Sequence, residues 1–271
     1  MHVKKHLRPD GVLPDFLIIG AMKCGTTTLF KMLEQHPGFL PPVTKEIHYF
    51  DSPLNNARGQ AWYRAHYPSE RDMQAAEKRL GHAPLTGEAT PAMSAPMYAR
   101  NAAELVPDAR IIVSLRNPVD RAWSHYQHYQ RHPKPDPLDF QSALERELSW
   151  LAEGNTITED NFLRLSPTAH RLGYVLRGRY VEQLEKWFEY FPKNQFLILN
   201  FERWVQDPAS AARRVAEHVG LPAAKLNATR SNQGGYQKSM PQACRDLLTE
   251  YYRPWNRRLF DMIEEEWDWP C

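Results

Sequence analysis

Four short runs of apolar residues punctuate an otherwise polar chain: Phe16–Ile19, Leu85–Gly87, Ile111–Leu115 and Phe196–Leu199. They are solid rather than alternating, which is the pattern of strands in a parallel sheet covered on both faces. Between them the period lengthens to that of a helix. Thr27–Gln35 puts Leu29, Met32 and Leu33 on one face and stops at Pro37–Gly38. Helical patterns follow over Ala95–Leu105 and Val119–Arg131, the latter with Pro118 at a first helical position. Phe140–Leu151 is amphipathic, and so is Tyr174–Phe191, where Val181, Leu184, Trp187, Phe188 and Phe191 share a face. Asp207–Pro208 reads as a cap and helix start, with the helix ending near Gly220. Asn155–Gly173 has little periodicity and reads as a long loop, either a lid or binding loop or a disordered segment.

Strands alternating with helices predict an α/β fold with a doubly wound, mostly parallel central sheet flanked by helices. We expect a single domain over residues 1–271, with 1–13 a flexible N-terminal segment. Ligands of such sheets sit beyond the carboxyl ends of the strands. The loop after Gly20, Glu88–Pro91 and Arg116–Pro118 all fall there.

Composition narrows the class. With 42% hydrophobic and 24% charged residues the chain is an ordinary globular protein, and a net charge of +2 does not call for nucleic acid as a partner. The sequence has no apolar run long enough for a membrane span, and the start MHVKKHLRPDG lacks the apolar core of a secretory signal. Cys24, Cys244 and Cys271 are odd in number and widely spaced, which fits a reducing compartment, so a cytoplasmic location is expected. No His/Cys spacing suggests a metal. Cys24 either carries a lowered thiol pKa near a helix start or simply fills a loop.

The candidate chemistry begins at FLIIGAMKCGTTT, residues 16–28. Gly20 and Gly25 keep the spacing of the glycine cradle whose backbone N–H groups hold phosphates at a helix N-terminus. A nucleoside triphosphatase would follow Gly25 with Lys and Ser or Thr. Thr26 and Thr27 stand there instead, and the lysine, Lys23, lies inside the loop. A second anion site is suggested by RIIVSLRNPVDRAWSHY, in which Arg116 leaves a strand and Ser124 follows within two helical turns.

Together these segments resemble the 3′-phosphoadenosine 5′-phosphosulfate (PAPS)-dependent sulfotransferases, and most closely the heparan-sulfate-type branch and its bacterial relatives. The likeness extends to KEIHYFD, TGEATP, FERWVQDP and NRRLFDMIEEEWDW, so it spans nearly the whole chain. It implies a P-loop-type fold and in-line transfer of a sulfuryl group to a hydroxyl or amine, with adenosine 3′,5′-bisphosphate (PAP) leaving and no metal. By this resemblance Lys23, Cys24, Gly25, Thr26, Thr27 and Thr28 form the 5′-phosphosulfate loop. Arg116 and Ser124 take the 3′-phosphate, with Gly235 and Tyr236 closing over it. The same resemblance implies that Lys23 stabilises the bridging oxygen and Glu46 is the base, with His48 either an acid/base helper or a structural histidine. Glu46 and His48 would share a side of an extended stretch.

In one place the pattern differs: the branch carries lysine after Glu in its E-K-[ST]-P motif, and here that residue is Ala89. Trp62, Tyr63, His66 and Tyr67 read as core packing or as a stacking surface, and the histidines between His125 and His132 as packing or cleft lining. The acceptor, whether small, saccharide or carrier-bound, is not specified by these motifs, nor is the oligomeric state. Two other functions are weighed against the sulfotransferase: a nucleotide-binding protein without catalysis, and a P-loop nucleotide kinase, which lacks its Lys-Ser/Thr after Gly25.

Overall fold

The structure, a computed structural model, describes residues 10–162, 173–224 and 239–271. Its centre is a four-stranded sheet ordered β2-β1-β3-β4, built from β1 (Phe16–Gly20), β2 (Gly87–Glu88), β3 (Arg110–Leu115) and β4 (Phe196–Asn200). Every pairing is parallel. The chain steps from β1 to β2 on one side, then returns past β1 to β3 on the other. The carboxyl ends of β1 and β3 therefore flank the point where strand order reverses, the place where such sheets bind ligands.

Both faces of the sheet are covered, as the solid apolar runs predict. Leu17, Ile19, Ile111, Val113 and Leu115 look into one core, and Phe16, Ile18, Ile112 and Leu199 into the other. The first face is packed by α5 (Tyr98–Leu105), α8 (Tyr180–Phe188) and α11 (Gln242–Ile263); the second by α1 (Thr26–Leu33) and α10 (Pro208–Val219). A third cluster joins α6 (Pro118–Tyr129), α7 (Phe140–Ala152) and α11 around Tyr174. The short helices α2 (Pro53–Asn56), α3 (Gly59–Arg64) and α4 (Glu70–Leu80) lie between β1 and β2, and α9 (Phe201–Trp204) follows β4 directly. No helix among the described residues is long and apolar enough to cross a membrane.

Several boundaries differ from the sequence reading, each for a local reason. The second strand is Gly87–Glu88, and Leu85 makes only an isolated bridge to Phe39. α5 starts at Tyr98, not Ala95, because Pro96 disfavours helical geometry in the residue before it. α8 starts at Tyr180 after a 3₁₀ turn at Leu176–Gly178. Upstream, the backbone is held by side chains: Val175 and Leu176 donate their N–H groups to Glu147, and Arg121 donates to the carbonyls of Gly173 and Tyr174. Those contacts are tertiary and leave no trace in the local period. Of the segment 1–13, residues 1–9 lie outside the described residues, while Gly11 bridges Ser69 and accepts a hydrogen bond from Arg64. The long loop at 155–173 is described only as far as 162 and again at 173.

Candidate active site

The loop between β1 and α1 is set by two residues with positive φ, Lys23 at 70° and Gly25 at 80°. Glycine is required at 25 twice over. The left-handed conformation favours it, and a Cβ there would come within 2.5 Å of the Trp204 indole. Trp204 in turn donates to Ser114 Oγ, which donates to the Cys24 carbonyl at 2.6 Å, so α9 and β3 pin the loop from below. Gly25 is the N-cap of α1 and no side chain caps the helix. The first-turn N–H groups at Thr26 and Thr27 therefore remain for a ligand, and the helix dipole favours that ligand being an anion.

Cys24 faces away from this cradle. Its N–H bonds the Ala21 carbonyl, and its fully buried thiol lies 3.6 Å from the Met22 carbonyl and 3.8 Å from the Tyr180 hydroxyl. Burial pushes the thiol pKa up to about 11. Of the two readings of Cys24, loop filler is the one the geometry bears out.

Three cations meet at the crevice between β1 and β3. The pKa of half-buried Lys23 is lowered by burial first, then by the like charges of Arg116 and Arg131. Arg116, the first residue after β3, lies over the Phe201 ring at 5.1 Å and anchors Tyr180 through its backbone carbonyl. Among the described residues no carboxylate is paired with Lys23 or Arg116. Ser124 lies on the buried side of α6, in its second turn. Lys23 and Arg116, like charges with no carboxylate paired to them among the described residues, beside the first-turn N–H groups of α1, suit a ligand with two separate anionic ends. PAPS has that chemistry. Gly235 and Tyr236 lie outside the described residues.

The second half of the site is the segment 45–51, and it is not extended. His48 has φ 55°, a left-handed turn that histidine tolerates better than most residues. The turn produces the contact that a strand was expected to give. His48 Nε2 lies 3.5 Å from Glu46 Oε2 while its Nδ1 bonds Asp51 Oδ2 at 2.9 Å. Lys45 Nζ bonds the other Glu46 oxygen at 2.5 Å. The result is a chain of alternating charge, Lys45–Glu46–His48–Asp51. Asp51, which the sequence reading missed, orients the imidazole; a carboxylate three residues after a histidine was the available signal. Burial raises the Glu46 pKa but is outweighed by hydrogen bonds from His48 and Lys45 and by their charges, leaving it at about 2. Hydrogen bonds to Asp51 and then Glu46 raise His48 to about 10 against its burial. Glu46 is thus a carboxylate and His48 a cation at neutral pH.

His128 joins the two halves. Exposed on α6, its pKa is lowered by partial desolvation first, then by Lys23 among nearby cations, with Glu46 acting the other way, so it lies within electrostatic range of both. His125, by contrast, is fully buried and packs edge-on against Tyr174 at 4.8 Å. The cluster at 62–67 packs in the core, with Tyr63 and Tyr67 almost completely buried. Ala89 is likewise buried, on the apolar face with Phe16 and Ile18, so its side chain adds no charge to the cleft.

Comparison with known proteins agrees with this geometry. A sequence model of the sulfotransferase domain matches residues 13–248. The chain belongs to the sulfotransferase family. It is 32% identical to human heparan sulfate glucosamine 3-O-sulfotransferase 6, over 94% of this chain and 73% of that enzyme. It is 28% identical to human bifunctional heparan sulfate N-deacetylase/N-sulfotransferase 3, over 93% of this chain and 30% of the relative. Among solved structures, a sulfotransferase from Alicyclobacillus acidocaldarius superposes with a TM-score of 0.69 at 26% identity, covering 94% of this chain and 98% of that one. This sulfotransferase is accordingly a PAPS-dependent enzyme of P-loop-type α/β fold, with PAP as the nucleotide product.

Proposed function

We propose that this sulfotransferase transfers the sulfuryl group to a hydroxyl of a saccharide acceptor, with Glu46 as base and Lys23 as the cation at the leaving oxygen. PAPS supplies an activated sulfuryl group on a phosphosulfate bridge. The first turn of α1, from Gly25 through Thr28, holds the 5′ end, and Arg116 with Ser124 the 3′-phosphate. Cys24 shapes the loop without touching the donor. Negative charge grows on the bridging oxygen as the bond to sulfur breaks, and a cation placed there beforehand acts mainly in the transition state. The lowered pKa of Lys23 also makes it a readier proton donor to that oxygen.

On the acceptor side, the ionised Glu46 carboxylate orients the attacking hydroxyl and receives its proton. His48, held protonated by Asp51, fixes the carboxylate's direction and offsets charge as the acceptor enters. What supports this reading is the Lys45–Glu46–His48–Asp51 chain of alternating charge, with His128 within electrostatic range of both Glu46 and Lys23, as expected if donor cation and base face one acceptor. The saccharide class rests on the relatives, which are heparan sulfate sulfotransferases. Three thiols without a disulfide are consistent with a cytoplasmic enzyme, the compartment we propose.

The test is transfer of radiolabelled sulfur from PAPS to a glucosamine-containing oligosaccharide, with a simple phenol in parallel. Labelled oligosaccharide is the expected product; label on the phenol alone would displace the saccharide reading.

A further inference from the structure

The fully buried carboxylate of Glu88 lies directly beneath the segment that carries Glu46. It accepts hydrogen bonds from the Tyr63 hydroxyl at 2.5 Å, the Thr90 hydroxyl, the Ile47 N–H at 3.3 Å and, more weakly, the Tyr67 hydroxyl at 3.3 Å. All of these partners donate and none is a cation. The ionised carboxylate can accept from all of these donors at once, whereas protonation obliges one of the hydroxyls to turn and accept, with the Ile47 N–H able only to donate. Ile47 is the residue next to Glu46, and a second bond, from Ala89 N–H to the Lys45 carbonyl at 2.9 Å, lies on the other side of it. The segment from Lys45 to Ile47 is thus docked on the end of β2 at two points, one of which is a charge.

We infer that Glu88 is a positioning residue for sulfuryl transfer, whose ionised carboxylate seats the base segment through Ile47. The inference rests on the assignment of Glu46 as base. The titratable groups facing Glu88 are Tyr63 and Tyr67 from the α3 region, Tyr98 from α5 and Asp51 from the base segment. Burial raises the Glu88 pKa above the ordinary 4.5, partly offset by the bonds from Thr90, Tyr63 and Ile47, with the Asp51 charge raising it further. Glu46 itself, at about 2, cannot set an acid limb in the range where the protein is studied. Falling pH therefore protonates Glu88 before Glu46, releases Ile47 and lets the base drift.

The experiment follows release of PAP from PAPS, to water or to the oligosaccharide, as a function of pH, alongside the Ile47 amide resonance as a direct reporter of Glu88. In the wild type both should titrate together, above 4.5. Thr90→Val removes one donor, so both midpoints should move to higher pH. Glu88→Gln should lower turnover by roughly ten- to a hundredfold, the scale of a small misplacement of a catalytic group, while PAP affinity holds within about twofold. An acid limb that stays in place while the Thr90→Val amide titration moves overturns the inference, as does wild-type turnover in Glu88→Gln. Failure of the wild type to bind PAP would instead strike the donor assignment and is read separately.

Discussion

In the proposed mechanism Lys23 and Glu46 divide the chemistry between them, and their environments make the division measurable. Burial and then the cations Arg116 and Arg131 lower the Lys23 pKa, whereas Glu46 lies between two cations. Lys23→Ala removes a preplaced charge at the leaving oxygen and is expected to lower kcat by roughly 10²–10³. Glu46→Gln keeps the shape and loses the proton acceptor, so kcat should fall by about 10²–10⁴ with PAP affinity unchanged. Steady-state kinetics with separate binding measurements check both. On the alkaline side two groups titrate: His48, raised to about 10, and Lys23, lowered from 10.5. Each is a cation that is present at low pH and lost as pH rises through its folded value. The rate should therefore fall with a two-proton slope, and His48→Gln should reduce it to a one-proton slope set by Lys23. A one-proton slope in the wild type would remove His48⁺ from the mechanism.

At the scale of elements, the site depends on a turn that only glycine fits. Gly25→Ala forces a methyl against Trp204 in a left-handed conformation. The expected cost is about 1–3 kcal/mol of stability together with weakened PAP binding, measurable by denaturant unfolding and calorimetry. Much of this architecture was legible in the sequence. The strands around Ile18 and Val113 showed as solid apolar runs, Asp207–Pro208 marked the start of α10, and the Gly20–Gly25 spacing located the anion cradle. What escaped had physical reasons. α4 is almost entirely polar, and only its Ser69–Asp72 capping box announces it. α11 carries Pro254 within its span, which reads locally as a break but is carried by packing of Leu248, Tyr252 and Leu259. The pairing of His48 with Glu46 was expected from strand alternation, yet it comes from a tight turn closed by Asp51. Glu88 read as part of a motif, and nothing local could show that two tyrosine hydroxyls 21 and 25 residues away would converge on it.

For the whole molecule, a net charge of +2 conceals a strong local asymmetry. Lys23 after β1 and Arg116 after β3 lie within electrostatic range of each other and of Arg131, while Glu46 and Asp51 lie on the adjoining segment with Glu88 buried beneath it. The cationic side is thus suited to a nucleotide with two anionic ends and the acidic side to a proton. Under the proposed function the cationic side recognises a 3′,5′-bisphosphate rather than a chain of phosphates with a metal. Thermal unfolding with PAP, ADP or ATP, each with and without Mg²⁺, tests it directly. PAP at about 100 times its dissociation constant should stabilise the wild type by roughly 2.7 kcal/mol without metal, and most of that gain should vanish in Arg116→Ala. Stabilisation that requires ATP and Mg²⁺, or a PAP shift that Arg116→Ala leaves intact, would contradict it.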